Sequence, residues 1–148
     1  MYPDKAYSIS LNKDIAEKET VTQLGRNGLN DKSDAFRHAY FQAINTNVIG
    51  AYFTKLFSDA HESETPTQLA LEKEMDLFNN KVGIDISTSS NRNATSLQIM
   101  DALLNGSLRY LDPTDANDPN FWGNNGFNNR GTATHGIMSS TSLKPTNQ

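Results

Sequence analysis

Residues 30–45, NDKSDAFRHAYFQAIN, carry the helical pattern that decides the fold class of this chain. Residues 30–33 offer side chains that cap a helix N-terminus. Apolar residues then recur at helical spacing, at Ala35, Phe36, Ala39, Tyr40, Ala43 and Ile44. This pattern predicts a helix over residues 33–45. Because no run in the sequence shows the sustained alternation of a strand, we expect a mainly α fold.

Four more segments have a helical pattern, which predicts a compact bundle of about five helices. They cover residues 13–24, which we expect to be mostly exposed, and residues 48–64, 66–86 and 95–111. In the fourth helix of the chain, a buried stripe is expected at Leu71, Met75, Phe78 and Val82. Residues 1–111 would form the helical domain, with its core in residues 25–111. Residues 112–148, rich in Asn, Gly and Pro, would form a long irregular segment, either a loose tail or an ordered loop packed on the helices.

Composition excludes several classes of protein. A length of 148 residues suits one domain. A net charge of -4 makes nucleic acid a poor candidate partner, because a duplex-binding protein normally has a basic excess. The absence of cysteine excludes disulfides, thiolate metal sites and cysteine nucleophiles. No run is apolar enough for a membrane span or a signal peptide, so we expect a soluble chain. Its first and last segments resemble linkers, which indicates a piece cut from a longer protein.

Candidate functional side chains occur on three consecutive predicted helices. Asp34 and His38 are four residues apart, on one helix face, with Arg37 beside them. The third helix ends in His61 and Glu62, with His61 expected to point inward. The fourth helix has a polar row of Glu72, Asp76, Asn79 and Asn80. Each feature alone has an ordinary explanation: a helix-stabilising pair, a buried histidine and a solvated face. Short connections would make the three helices antiparallel neighbours, whose polar side chains converge on one cavity.

Carboxylate and imidazole groups suit a divalent metal ion such as Mg, Ca, Mn or Zn as the cofactor. Asp34, Glu62 and Asp76 are the candidate metal ligands. Arg37 would hold phosphate oxygens, while His38 and His61 would act as catalytic groups. Asn79 and Asn80 would bind substrate. We expect His135, in the polar C-terminal segment, to be a solvated loop histidine. The motifs of zinc proteases, serine hydrolases and phosphate-binding loops are absent.

Three blocks of sequence resemble an uncharacterised helical domain family found at the C-termini of large bacterial secreted and polymorphic-toxin-like proteins. The blocks are DAFRHA at 34–39, HE at 61–62 and MDLFNNKVG at 75–83, preceded by Asn27-Gly28 and Asn30-Asp31. They occur in order at similar spacing, across about residues 25–86. Tyr40-Phe41 stands where the family usually has an aromatic pair containing Trp. The resemblance implies a domain that is secreted, or delivered into a target cell, as part of a larger bacterial protein. A cognate immunity protein would be its partner.

The leading hypothesis is a toxin-like effector domain that hydrolyses a phosphoester or a lipid head group. The comparison with helical toxins that attack lipid-linked cell-wall precursors or phospholipids is an analogy at the level of the fold. One alternative is a metal-dependent nuclease toxin, which the acidic net charge disfavours. The other alternative is a non-catalytic helical binding module, in which Asp34, His38 and the asparagines form a buried hydrogen-bond network.

Overall fold

The computed structural model describes residues 2–115 and 135–148. The helices are α1 (Pro3–Leu24), α2 (Lys32–Glu62), α3 (Ala70–Ser89) and α4 (Ser96–Leu104), with a 3-10 turn at Thr67–Leu69 before α3. Two strands follow, β1 (Arg109–Thr114) and β2 (Ile137–Pro145), and they pair antiparallel. The prediction of a mainly helical fold is therefore confirmed. None of the helices in this described part combines the length and apolarity needed to cross a membrane.

Helix α2 is broken at Gly50, where φ is 83° and ψ is 163°. This conformation favours glycine because a Cβ atom would be strained there. Beyond the break, residues 51–62 return along the first half of the helix, since Phe57 and Glu62 line the same cleft as His38. The helices predicted over residues 33–45 and 48–64 are thus the two halves of one element. The described residues are divided into four helices rather than the predicted five, because α2 includes the two helical halves on either side of the break at Gly50.

The first half of α2 runs side by side with α3, in the same direction. Facing residues are 42 positions apart in the sequence: Asn30 with Glu72, Asp34 with Asp76, and His38 with Asn80. The two helix backbones touch where Gly83 lies on Ala39, because a Cβ atom at residue 83 would collide with the Ala39 carbonyl oxygen. This close approach is what brings the polar side chains of the two helices together.

The apolar core is small and consists largely of alanine. Its buried members are Ala35, Phe36, Ala39, Ala43, Ala94, Ile99, Ala102, Leu103 and Leu108. Of the stripe predicted on α3, only Met75 is buried, and Phe78 is 38% exposed. The buried face of α3 is instead Glu72, Met75, Asp76, Asn79, Asn80 and Gly83. The stripe prediction is thus correct for Met75 and partly correct for Val82, which packs against the core, but wrong for Phe78. It fails there because α3 turns a largely polar face toward a polar face of α2.

Other predicted boundaries also change. Helix α1 begins at Pro3, ten residues before the predicted start, and it buries Asn12, Ala16 and Thr20. The last predicted helix, to residue 111, ends at Leu104, and β1 follows. Strand β2 lies in the segment predicted to be irregular; its Ser- and Thr-rich sequence lacks the apolar alternation that signals a strand. The rest of that segment, including Phe121, Trp122 and Phe127, lies outside the described residues.

Replacing Gly83 with alanine should destabilise the fold by about 2 kcal/mol, because the new methyl group forces α2 and α3 apart. Urea denaturation measures this change. The control is Gly25→Ala, where a Cβ meets nothing within 4 Å and only the φ of 73° is unfavourable, at a cost of about 1 kcal/mol. A Gly83→Ala variant as stable as the parent chain would show that the two backbones do not touch.

Candidate functional site

His38 lies at the centre of a group formed by α2 and α3. Its Nε2 atom is 3.3 Å from Asp34 Oδ1, one helical turn away, and 3.3 Å from Asp76 Oδ1 on the neighbouring helix. On the other side of the ring, Nδ1 is 3.3 Å from the amide oxygen of Asn80. The side chain is 17% exposed, so one edge of the ring reaches the surface. Asp34 and Asp76 together therefore hold one imidazole nitrogen between two carboxylates.

The orientation of Asp34 is set by groups around the N-terminus of α2. Its Oδ2 atom accepts a hydrogen bond of 2.6 Å from the backbone N–H of Asn30, and its Oδ1 atom is paired with the guanidinium of Arg37. The same guanidinium donates to the backbone carbonyl of Gly28, at 3.0 Å, and to the side chain of Asn27. Arg37 thus fixes Asp34 and the preceding loop, although it was predicted to hold substrate phosphate.

Two opposing effects act on the pKa of His38. Burial alone would lower it, but the carboxylates of Asp76 and Asp34 outweigh burial and raise the pKa to about 9. Burial also raises the pKa of the Asp76 carboxyl well above its ordinary value; His38 opposes this shift, and Asp34 reinforces it. Because His38 and Asp76 are in contact, the two groups titrate as a pair.

Negative charge is concentrated around this pair. The fully buried carboxylates in the described part of the chain are Asp34, Glu62, Glu72 and Asp76. Burial is the main cause that raises the pKa of Glu62, and His38 and His61 act in the opposite direction. Within the same described residues, Arg37 is the one lysine or arginine that is buried. Carboxylates in such surroundings need a positive charge nearby, since an uncompensated buried charge is costly.

A cleft of about 410 Å³ opens beside His38, between α1 and the two halves of α2. Helix α1 contributes Ile9, Lys13, Ala16 and Glu17, and α2 contributes Arg37, His38, Phe41, Gln42, Asn45, Phe57, Ser58, His61 and Glu62. Four of the predicted catalytic or metal-binding groups therefore line this cleft together, namely Arg37, His38, His61 and Glu62. Asp76 reaches the cleft only through its contact with His38.

The other predicted site residues occupy different positions. His61 lines the cleft but is exposed, so the prediction that it points inward was wrong. Asn79 is fully buried; its amide oxygen accepts from the Arg109 backbone N–H at 2.9 Å, and its amide nitrogen donates to the Arg109 carbonyl at 2.8 Å. The prediction that Asn79 binds substrate is therefore replaced by a structural role, in which Asn79 anchors the start of β1. Asn80 is buried and contacts His38.

The sequence prediction missed a second buried polar group. His135 is 7% exposed, and its Nδ1 atom lies 2.7 Å from Glu72 Oε2, which also accepts from the side chain of Asn30 at 3.1 Å. His135 was expected to be solvated, because its neighbours in sequence are turn residues. No local signal could reveal the contact, since Glu72 is 63 residues earlier in the chain. The row of polar residues on α3 did include Glu72.

The residues that could hold a metal ion form one group in the described part of the chain. Asp34, His38 and Asp76 each offer one ligand atom, and these atoms all lie within 4.8 Å of one another. Two of the three carboxylates predicted as metal ligands are in this group. Glu62, the third, shares the electrostatic environment but is outside the group.

The raised pKa of His38 predicts a pH dependence of stability in chelator-treated protein. In the folded state His38 holds its proton up to about pH 9, because its pKa is raised, whereas the histidine of the unfolded chain releases the proton near its ordinary pKa of 6.5. Stability should therefore be complete below about pH 6.5 and should fall as the pH rises toward 9, by at most about 3 kcal/mol. Urea denaturation at several pH values measures this fall. It should persist in His61→Gln and change in His38→Gln, where Asp76 is left to titrate without its partner. A parent chain equally stable at pH 6 and pH 9 would contradict the expectation.

Comparison with known proteins gives one match. Residues 1–109 match the family described as a domain of unknown function, DUF6973. No curated protein and no solved structure matches the chain. The matched range contains all four helices and the whole of the Asp34, His38 and Asp76 group, so the candidate site lies inside the family domain. The chain belongs to the DUF6973 family.

Proposed function

We propose that this chain is a toxin-like effector domain that hydrolyses a phosphoester, in the first place one in a lipid head group. One observation carries the proposal: a cleft of about 410 Å³ places His38, Arg37 and Glu62 beside apolar walls. Its volume is within the range of about 300–1,000 Å³ that is usual for small-molecule sites.

The lining of the cleft fits an amphiphilic substrate. Ile9, Ala16, Phe41 and Phe57 provide apolar surface that an acyl or isoprenoid chain could cover. Lys13 on α1 and the positive charge at His38 are suited to an anionic head group. A phosphoester with an apolar tail satisfies both parts of the cleft, whereas a nucleic acid would leave the apolar walls without a partner.

The chemistry needs a positive charge near the phosphate and a base for the attacking water. Positive charge held at Nε2 of His38 would attract a phosphate oxygen and stabilise the charge that develops during attack. Glu62 is suited to act as the base, because burial raises its pKa toward neutrality. The water oxygen would bond to phosphorus as its proton passes to Glu62. The bond from phosphorus to the leaving oxygen would then break, and that oxygen would take a proton from solvent.

The biological setting belongs to the same proposal. The resemblance of three ordered sequence blocks, at residues 34–39, 61–62 and 75–83, supports a domain delivered into a target cell as part of a larger bacterial protein. A cognate immunity protein that covers the cleft would be the partner. The acidic net charge of -4 again disfavours the nuclease alternative.

Glu62→Gln should reduce hydrolysis by about 100-fold, because the amide cannot accept the proton of the attacking water. The assay uses the full chain with vesicles of phosphatidylethanolamine and phosphatidylglycerol, and phosphorus NMR measures head-group release. Glu74→Gln is the matched control, since Glu74 is an exposed glutamate on α3. Equal rates for Glu62→Gln and the parent chain, or intact vesicles with the parent chain, would reject the proposal. Nicking of plasmid DNA with Mg²⁺ or Mn²⁺ would favour the nuclease instead.

The two predicted catalytic histidines should differ in their effects. His38→Ala should lower the same rate by about 100-fold, because it removes the positive charge at the head of the cleft. His61→Ala should lower it by less than about 10-fold, because His61 is exposed and lies outside the group formed with Asp34 and Asp76. Comparison of the two rates on the vesicles decides the point. A larger loss for His61→Ala would move the reaction centre to the rim of the cleft.

A further inference from the structure

We propose that Asp34, His38 and Asp76 bind a divalent transition-metal ion, and that Asn80 holds the His38 ring in the orientation that binding requires. The binding of the ion follows from the ligand distances, the unpartnered oxygen of Asp76 and the surrounding charge, and it does not depend on the proposed reaction. Its use in hydrolysis rests on the proposed function, in which it would supply the positive charge at Nε2 of His38. The two claims can therefore fail separately.

The distances fit a common ion. Nε2 of His38 is 3.3 Å from Oδ1 of Asp34 and 3.3 Å from Oδ1 of Asp76. Two ligand atoms that each lie about 2.1 Å from a metal are about 3.0–3.4 Å apart at coordination angles of about 90–109°. Two of the three ligand separations are thus those of a coordinated ion, and all three are within 4.8 Å.

Asn80 determines which nitrogen of His38 can bind a metal. The Asn80 amide oxygen, 3.3 Å from Nδ1, can only accept a hydrogen bond, so Nδ1 must carry a proton to donate. In the neutral ring, the lone pair then lies on Nε2, which faces Asp34 and Asp76. Histidines that bind metals usually donate the proton of their other nitrogen in this way. The outer hydrogen bond of a metal site is therefore already present.

A polar atom without a hydrogen-bond partner points to the same place. Asp76 is 7% exposed, and its Oδ1 atom is buried with no hydrogen-bond partner among the residues that the structure describes. This is the atom that faces Nε2 of His38. A buried carboxylate oxygen normally has a partner, because leaving it unsatisfied costs about 1–3 kcal/mol. A metal ion between Asp76 and His38 would be that partner.

The negative charge around the ligand group favours the binding of a divalent cation over the binding of a single proton. Glu62 and Glu72 add to the negative charge of the ligands, and the guanidinium of Arg37 is bound to Asp34. One imidazole with two carboxylates suits Mn²⁺ or Zn²⁺ better than Ca²⁺, whose ligands are oxygen atoms. Three protein ligands leave positions for water or a substrate oxygen, and His38 borders the cleft from which these would enter.

Isothermal titration of the chelator-treated full chain with Mn²⁺, and separately with Zn²⁺, tests the site. We expect one ion for each chain. Asp76→Asn should weaken binding by at least about 100-fold, because a neutral amide replaces a charged ligand. Asp85→Asn is the matched control: Asp85 is on the same helix, is exposed and pairs with Lys81. It should bind as the parent chain does.

A second pair of variants tests the role of Asn80. Asn80→Ala should weaken binding by about 10–100-fold, the effect usual for an outer hydrogen-bond partner of a metal ligand. Asn80→Asp keeps an oxygen acceptor and should restore binding. In pulsed EPR of bound Mn²⁺, the coupling to an imidazole nitrogen should be present in the parent chain and absent in His38→Gln. This signal keeps the proposal testable if Asp76→Asn fails to fold.

Three outcomes would overturn the metal site: no binding of either ion by the parent chain, equal binding by Asp76→Asn, or Mn²⁺ bound with no nitrogen coupling. If the parent chain binds the ion but does not hydrolyse phosphoesters, the metal site stands and the proposed function falls. If the chain hydrolyses them at an unchanged rate in excess chelator, the catalytic use of the ion falls and the hydrolase stands.

Discussion

The contact between the backbones of α2 and α3, at Ala39 and Gly83, is the constraint on which the site depends. A Cβ atom at residue 83 would collide with the Ala39 carbonyl oxygen and hold the two helices apart. With the backbones in contact, the side chains one position before Ala39 and three positions before Gly83 meet, and these are His38 and Asn80. The parallel register of the two helices then sets Asp34 opposite Asp76 one turn earlier. One glycine and one alanine thus define the geometry of a polar group contributed by two helices.

This arrangement has an energetic cost that the small core must offset. A helix pair with apolar facing sides gains stability from burial, whereas α2 and α3 bury four carboxylates with one guanidinium. The cost is reduced by specific partners: Arg37 for Asp34, and His135 for Glu72. Within residues 2–115 and 135–148, the partner of Asp76 is His38, with 3.3 Å between His38 Nε2 and Asp76 Oδ1. The negative charge is therefore least compensated at Asp76. This residue is a member of the ligand group, and its Oδ1 atom is the buried oxygen without a hydrogen-bond partner in the described part of the chain.

Local sequence patterns could predict only part of this structure. The spacing of Asp34 and His38 places them on one helix face whatever the tertiary fold, so their contact at 3.3 Å was predictable. The buried face of α3 was not, because apolar periodicity assumes that a helix buries its apolar side. Phe78 is part of that apolar side, yet it is 38% exposed, since Asp76 and Asn80 occupy the interface. A stripe of polar residues inside a helix pair contradicts local patterning, and such contradictions are typical of functional sites.

The contacts made by the C-terminal residues could not be predicted, for a different reason. The pairing of β1 with β2 and the contact of His135 with Glu72 join positions far apart in sequence, through polar groups with no periodic signal. Asn79 shows the same limit: its place in a row of polar residues indicated a surface function, but its amide replaces a backbone partner for Arg109. Whether a buried polar residue supports the fold or carries out chemistry depends on its partners, which only the tertiary structure reveals.

The polar residues on α3 differ in whether their partners indicate a structural role or a chemical one. The nitrogen and the oxygen of the Asn79 amide are both hydrogen-bonded to Arg109 of β1, and Glu72 accepts hydrogen bonds from Asn30 and His135. These two side chains therefore have the partners that a structural network requires. Asp76 and Asn80 are equally buried, but Asp76 Oδ1 and Asn80 Nδ2 have no hydrogen-bond partner in the described part of the chain. The lack of partners occurs where α3 meets His38, the one member of the ligand group that also borders the cleft. Helix α3 thus satisfies its polar groups at Glu72 and Asn79, whereas among the described residues one atom of Asp76 and one of Asn80 lack a hydrogen-bond partner, at the position where the metal site is proposed.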